Sequence, residues 1–206
     1  MIKLTTYNLW SEDFALTDNV LELFEQSGAV LHGHFILTSG LHSDTYMQCA
    51  KLFEHGDIAE ALCKKAAEKL KKYNADAIVS PAVGAIIFGY ELGKQLGIPN
   101  MFAEREKDGN FALRRGFELK KGSRVVIAEN VVTTGGSVKE VIELVQALGS
   151  TVVAVAEVVD RSGGKVDFGV PNESLLQIDV KTYDPKDCPM CKQGTAAVKP
   201  GSKGLK

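Results

Sequence analysis

Apolar and polar positions follow two periods along this chain, one helical and one extended. Between residues 12 and 27, Leu16, Val20, Leu23 and Phe24 share one helical face, and Gly28 supplies a stop. Residues 34–50, HFILTSGLHSDTYMQCA, alternate loosely, which predicts two short strands around a Ser39-Gly40 turn. A helix is expected from about Asp57 to Lys72, its last turns rich in lysines that complement the helix dipole. A unit then recurs: a short apolar run, a small-residue turn, a helix. Ala77-Ile78-Val79 enters Ser80-Pro81-Ala82-Val83-Gly84-Ala85, and a helix follows to Leu96 with Gly97 behind it. After Asn100-Met101-Phe102-Ala103, the charge density of Glu104 to Asn110 predicts an exposed, mobile loop. Val125-Val126-Ile127-Ala128 leads through Thr133-Thr134-Gly135-Gly136-Ser137 into a helix ending near Leu148-Gly149. Thr151 to Val159 is one more near-continuous apolar strand, closing on Asp160-Arg161.

Continuous apolar strands alternating with helices define the α/β class, with a mostly parallel central sheet covered by helices on both faces. Ligands in such sheets bind beyond the carboxyl ends of the strands, where the polar turns of this chain fall. The length suits a single domain over residues 1–206, with an N-terminal appendage over 1–50, an α/β core over 51–180 and an extension over 181–206. The final residues, AAVKPGSKGLK, read as a loosely held tail.

Composition narrows the function classes. Apolar residues make up 45% and charged residues 24%, as in ordinary globular domains, and the net charge of −2 gives no footing for nucleic acid or a membrane surface. No apolar run approaches the ~18 residues of a membrane span, and the start MIKLTTYNLWSEDF lacks a signal-peptide pattern, so a cytoplasmic location is expected. Cys49 and Cys63 read as small buried hydrophobes. Cys188-Pro-Met-Cys191 has metal or redox spacing but stands alone, and the four histidines all precede residue 56. Structural zinc, redox chemistry and an incidental surface pair are the three readings; the last is preferred, and no metal site is assigned.

The chemistry centres on residues 125–137, VVIAENVVTTGGS. An apolar strand ends in Glu129-Asn130, and a hydroxyl- and glycine-rich turn then opens a helix. Backbone N–H groups of such a turn, together with the helix N-terminus, form an anion site. Carboxylate and amide groups just upstream accept hydrogen bonds from sugar hydroxyls, so the pair suits a ribose 5-phosphate. The lysine and glycine spacing of a Walker loop or GxGxxG is missing. A helix capped by Thr133 or Thr134 is the plainer account of the same residues.

This segment resembles the phosphoribosyl pyrophosphate signature of type I phosphoribosyltransferases: an apolar strand, two acidic positions, two aliphatics, then TTGGS. Phe35, Leu37, Ser39, Gly40, Ser43 and Tyr46 are similar to the hood motif of the orotate branch of that family. Ser80 to Ile86 is similar to its pyrophosphate loop. Leu113-Arg114-Arg115-Gly116-Phe117, the Cys-Pro-x-Cys pair and Lys199-Pro200-Gly201-Ser202 resemble one bacterial and archaeal group within it. The resemblance runs in order from about residue 16 to 202.

It implies a type I phosphoribosyltransferase fold with an N-terminal hood over residues 1–50, and transfer of a phosphoribosyl group to orotate. By the same resemblance, Thr133, Thr134, Gly135, Gly136 and Ser137 hold the 5-phosphate, and Glu129 and Asn130, with Val131 and Val132 behind them, face the ribose. Thr38, Ser39 and Gly40 belong to the hood, Ala82, Val83 and Gly84 to the pyrophosphate loop, and Thr133 and Arg161 contact orotate. Arg105 and Lys107, on the loop from Glu104, neutralise departing pyrophosphate across a homodimer with shared sites, and Glu129 completes the catalytic set. The resemblance also implies Mg2+, held mainly by substrate oxygens. For Arg161 a surface arginine in a turn, and for the 104–110 loop a solvated mixed-charge loop, remain the alternatives. Four departures stand out: Asn130 replaces the second acid, Gly84 and Thr38 stand where many orotate enzymes carry lysine, and the loop is short and lacks histidine. A purine or uracil phosphoribosyltransferase and a non-catalytic sensor of phosphoribosyl pyrophosphate are the rival functions. The hood motif and Arg161 argue against the first, and the lack of a basic cluster or helix-turn-helix argues against the second.

Overall fold

The computed structural model describes residues 17, 19–37 and 39–200. Leu16 and Thr38, both singled out in the sequence, lie outside them. The chain forms two compact units, residues 1–55 with 179–206, and residues 56–178.

In the first unit, helix α1 covers Val20–Gln26. It begins later than residue 12 because Asn19 caps it: the Asn19 side-chain oxygen accepts the Leu21 N–H at 3.0 Å. Leu23 and Phe24 are its buried pair. Strands β1 (Val30–Ile36) and β2 (His42–Met47) form an antiparallel hairpin, and a 3-10 turn covers Cys49–Phe53. The C-terminal segment is laced onto this hairpin by backbone bonds. Val198 N–H donates to His34 O and Ile36 N–H to Val198 O, while His42 and Tyr183 exchange a pair, all at 2.8 Å.

The second unit carries the α/β core. Helix α2 spans Gly56–Leu70, β3 Ala77–Pro81, α3 Ile86–Leu96, β4 Asn100–Arg105, β5 Phe111–Leu113, β6 Arg124–Val132, α4 Gly136–Ala147, β7 Thr151–Asp160 and β8 Asn172–Gln177. The sheet order is β5-β4-β3-β6-β7-β8, with every pairing parallel except β4 with β5. Alternate residues of the inner strands serve opposite faces. Ala77, Val79, Val125 and Ile127 pack with Val138, Val141 and Val145 of α4. Ile78, Val126, Phe88 and Leu92 are equally buried outside that cluster. Full burial of each such Val, Ile, Leu or Phe contributes about 1.5–3 kcal/mol.

Two strands go beyond the sequence expectation. The charged segment after Glu104 is a tight connection between β4 and β5, closed by Glu106 N–H on Asn110 O at 2.9 Å. β8, with sequence NESLLQ, is a half-exposed edge strand whose polar residues carry little extended signal. Strand β6 also continues past Ala128 through Glu129 to Val132.

Candidate active site

The strand order reverses between β3 and β6, which run parallel: β4 is added on one side, β7 and β8 on the other. A crevice therefore opens at the carboxyl ends of β3 and β6, the position where such sheets bind ligands. The turn after β3 contains Ala82, Val83 and Gly84; Ala82 N–H donates to Ala103 O at 2.8 Å, and Val83 is exposed. Gly84 sits beside Asn130 of β6, so closely that a Cβ there would lie 2.9 Å from Asn130 Nδ2.

After β6, residues 129 and 131–138 line a cavity of about 80 Å3. Thr133 and Thr134 are exposed, and α4 begins immediately after Gly135. Gly135 requires glycine on two grounds. Its φ is +73°, and an added Cβ would lie 2.6 Å from Val166 Cγ1 and 2.8 Å from Phe168 Cε1. Close packing from behind thus presses the turn into a shape whose N–H groups open α4, and the helix dipole adds to their attraction for an anion.

Glu129 is buried beneath this turn, its Oε1 accepting the Asn130 N–H at 2.8 Å. Burial pushes its carboxyl up to about 7, with nearby Glu157 adding to the rise and the Asn130 and Val131 N–H groups opposing it. Glu157 is its register partner on β7. It is fully buried and also raised to about 7, chiefly by burial; the Asn172 amide, donating at 2.7 Å, works against the rise, and Asp160 adds to it. Glu157 Oε2 has no hydrogen-bond partner.

Sequence reasoning passed over Glu157 and gave Asp160 no role. The signal for Glu157 was a lone acid inside the apolar run TVVAVAEVVD. Asp160 orders the turn after β7, its two carboxylate oxygens each accepting a 2.7 Å bond, from Ser162 N–H and Gly164 N–H. Arg161 opens that turn and is half-buried, and its backbone N–H donates to Val132 O at 2.8 Å.

The expected residues therefore fall into three groups. Ala82 to Gly84, Glu129 to Ser137 and Arg161 converge at the carboxyl ends of β3, β6 and β7. Arg105 ends β4 and Lys107 lies exposed in the following turn. The Arg105 guanidinium is held elsewhere: it grips Glu140 of α4 through bonds of 2.7 and 3.0 Å and lies over the Phe111 ring at 4.1 Å. Ser39 and Gly40 form the β1–β2 turn of the first unit, while Thr38 is outside the described residues.

The cysteine pair departs from the expectation of an incidental surface feature. Cys188 is fully buried, and only Cys191 is exposed. His34 and His42, distant in sequence, lie beside both.

This sheet order, with a hydroxyl- and glycine-rich anion turn above a buried acid, defines a class. The phosphoribosyl transferase domain family matches residues 50–168, and the chain belongs to it. Within that family it belongs with the orotate phosphoribosyltransferases. It is 53% identical to the orotate phosphoribosyltransferase of Caldanaerobacter subterraneus subsp. tengcongensis over 91% of this chain and 98% of that one. The Thermotoga maritima enzyme of the same name is 54% identical, over 91% and 100%. The crystal structure of the orotate phosphoribosyltransferase from Aeropyrum pernix superposes with a TM-score of 0.67 at 25% identity, covering 77% of this chain and 93% of that one.

Proposed function

We propose that the crevice at the carboxyl ends of β3, β6 and β7 binds phosphoribosyl pyrophosphate and orotate and joins them. The chain transfers the phosphoribosyl group to orotate, giving orotidine 5′-monophosphate and pyrophosphate in pyrimidine biosynthesis. The observation that carries the site assignment is the Thr133–Ser137 turn, opening α4 directly above the buried Glu129.

The 5-phosphate sits on the N–H groups and hydroxyls of Thr133 to Ser137. Glu129 and Asn130 accept hydrogen bonds from the ribose hydroxyls, which fixes the anomeric carbon towards orotate. The Arg161 guanidinium forks onto the orotate carboxylate or a ring carbonyl. A deprotonated ring nitrogen of orotate forms the new bond to the anomeric carbon while the bond to the pyrophosphate oxygen breaks. Because the nucleophile arrives as an anion, no protein base is required. The turn at Ala82 to Gly84 and the side chains of Arg105 and Lys107 receive the leaving pyrophosphate.

Mg2+ fits the donor set here as a sparsely held ion. Pyrophosphate and ribose oxygens would supply most of its ligands, with Glu129 the hard carboxylate that lines the crevice beside them. When bound, the ion neutralises the pyrophosphate. The chain acts as a cytoplasmic homodimer whose subunits share sites, Arg105 and Lys107 serving the neighbour. No described helix is long and apolar enough to cross a membrane.

One assay tests the reading. The chain is mixed with Mg2+, phosphoribosyl pyrophosphate and one base at a time, and pyrophosphate release is followed. Orotate is consumed, whereas adenine, hypoxanthine and uracil are not; comparable turnover of any of those three overturns the assignment.

A further inference from the structure

Within the first unit, four ligand-bearing side chains converge. We propose that His34, His42, Cys188 and Cys191 form a structural zinc site that fastens the C-terminal segment to the β1–β2 hairpin. Their ligand atoms all lie within 4.8 Å of one another. Cys188 Sγ is 3.5 Å and Cys191 Sγ 3.7 Å from His34 Nε2, and Cys191 Sγ is 3.3 Å from His42 Nδ1. Tetrahedral zinc, bonded at about 2.3 Å to sulfur and 2.0–2.1 Å to nitrogen, sets such S and N atoms about 3.5 Å apart. The two ring nitrogens, 2.7 Å apart, need to separate by only about 0.6 Å to fit the same tetrahedron.

Hydrogen bonding points the same way. His34 Nδ1 lies 2.8 Å from the Thr195 carbonyl, which only accepts, so Nδ1 carries the proton and Nε2 presents a lone pair inward. That lone pair faces His42 Nδ1 and both thiols, so four ligand atoms crowd together around one small space. A cation at the centre, with both thiols ionised, turns all four atoms into acceptors with one common partner. The Thr195 contact is also the kind of outer hydrogen bond that orients a metal-bound histidine. Two thiolates and two imidazoles in a closed tetrahedron select zinc over oxygen-seeking Mg2+ or Ca2+.

The location supplies a reason for a staple. His34 and His42 are also the residues whose backbones bond to Val198 and Tyr183. The Cys188 and Cys191 ligands lie between those two bonded positions, on and beside a single-turn helix at Pro189–Lys192. The described core of this unit is small, resting on side chains such as Phe24, Phe35 and Leu52.

The test uses the full chain, produced with zinc supplied and purified without chelators or a histidine tag. Elemental analysis should find about one zinc per chain. Co2+ added to metal-free protein should give the visible absorption of a tetrahedral thiolate site, and chelation should lower the thermal midpoint. Cys191→Ser, altering an exposed side chain, should weaken zinc binding by more than the roughly 10–100-fold that loss of an outer hydrogen-bond partner costs. Protein that holds no zinc and gives no cobalt spectrum overturns the proposal. So does iron in place of zinc, a Cys188–Cys191 disulfide under reducing conditions, or a Cys191→Ser variant with undiminished zinc.

Discussion

Gly84 and Asn130 meet at the point where the strand order of the sheet reverses, and a Cβ on Gly84 would lie 2.9 Å from Asn130 Nδ2. The resemblance implies a lysine at 84 and an acid at 130, so two of the chain's departures from that pattern are neighbours, and both remove charge. Substituting one alone leaves an unpaired charge beside Glu129, already raised to about 7 by burial. Asn130→Asp should change turnover only a few-fold, about 1 kcal/mol or less. Adding Gly84→Lys should recover part of any loss, with a coupling of about 0.5–3 kcal/mol. Steady-state kinetics on the parent, both single variants and the double variant decide it. An inactive parent rescued by Asn130→Asp would mark the chain as a disabled sensor.

The paired acids Glu129 and Glu157 make stability depend on pH. Both carboxyls lie near 7 in the folded chain, against an ordinary value of 4.5. The folded state therefore holds more protons than the unfolded state between about 4.5 and 7. Stability is fully present below about 4.5 and falls as pH rises through 7, by up to about 3 kcal/mol for each group. Glu157→Gln should flatten this slope. Thermal unfolding of the ligand-free chain from pH 5 to 8 measures it, and a midpoint that does not fall over that range contradicts the buried-acid account.

If Arg161 contacts orotate as proposed, its loss should affect the two substrates unequally. It opens the turn ordered by Asp160, with its backbone tied to Val132. Arg161→Ala should weaken orotate binding by about 2–3 kcal/mol and leave phosphoribosyl pyrophosphate nearly unaffected. Calorimetry with each substrate checks this; equal losses for both would give Arg161 a purely structural role.

The parallel core was legible in the sequence because its buried strands are continuous apolar runs and its helices end at glycines such as Gly97. The turn that opens α4 was legible because TTGGS combines hydroxyls with the backbone freedom that Gly135 uses. Pairings set by tertiary context were not. β8 is polar and half-exposed, so nothing local distinguishes it from a loop. Arg105 reads as part of a solvated, mixed-charge loop or a pyrophosphate contact, and nothing local signals that Glu140, thirty-five residues on, holds it. His34 and His42 precede Cys188 by about 150 residues, and only the lacing of the C-terminal segment onto β1 and β2 brings them together.

The Arg105–Glu140 pair bears on the shared-site proposal. Both side chains are close to half exposed, at 46% and 43%. Exposed ion pairs contribute about 0–1 kcal/mol, so pyrophosphate, with its higher charge, can draw Arg105 away at little cost. Glu140→Gln should accordingly lower stability by less than about 1 kcal/mol and leave turnover equal or raised, since Arg105 is then free to move. Arg105→Ala should reduce kcat by about 100-fold, equivalent to roughly 2.7 kcal/mol of lost stabilisation on the leaving group. If Arg105 serves the neighbouring subunit, an Arg105→Ala chain mixed and refolded with a Glu129→Ala chain regenerates sites with both residues intact. Up to about a quarter of all sites would then be complete for random pairing and equal amounts, because each mixed dimer carries one whole site and one doubly damaged site. Activity of the refolded mixture well above that of either variant supports the trans arrangement. A mixture no more active than its parents, under conditions where mixed dimers are shown to form, places Arg105 in its own subunit's site or outside the chemistry.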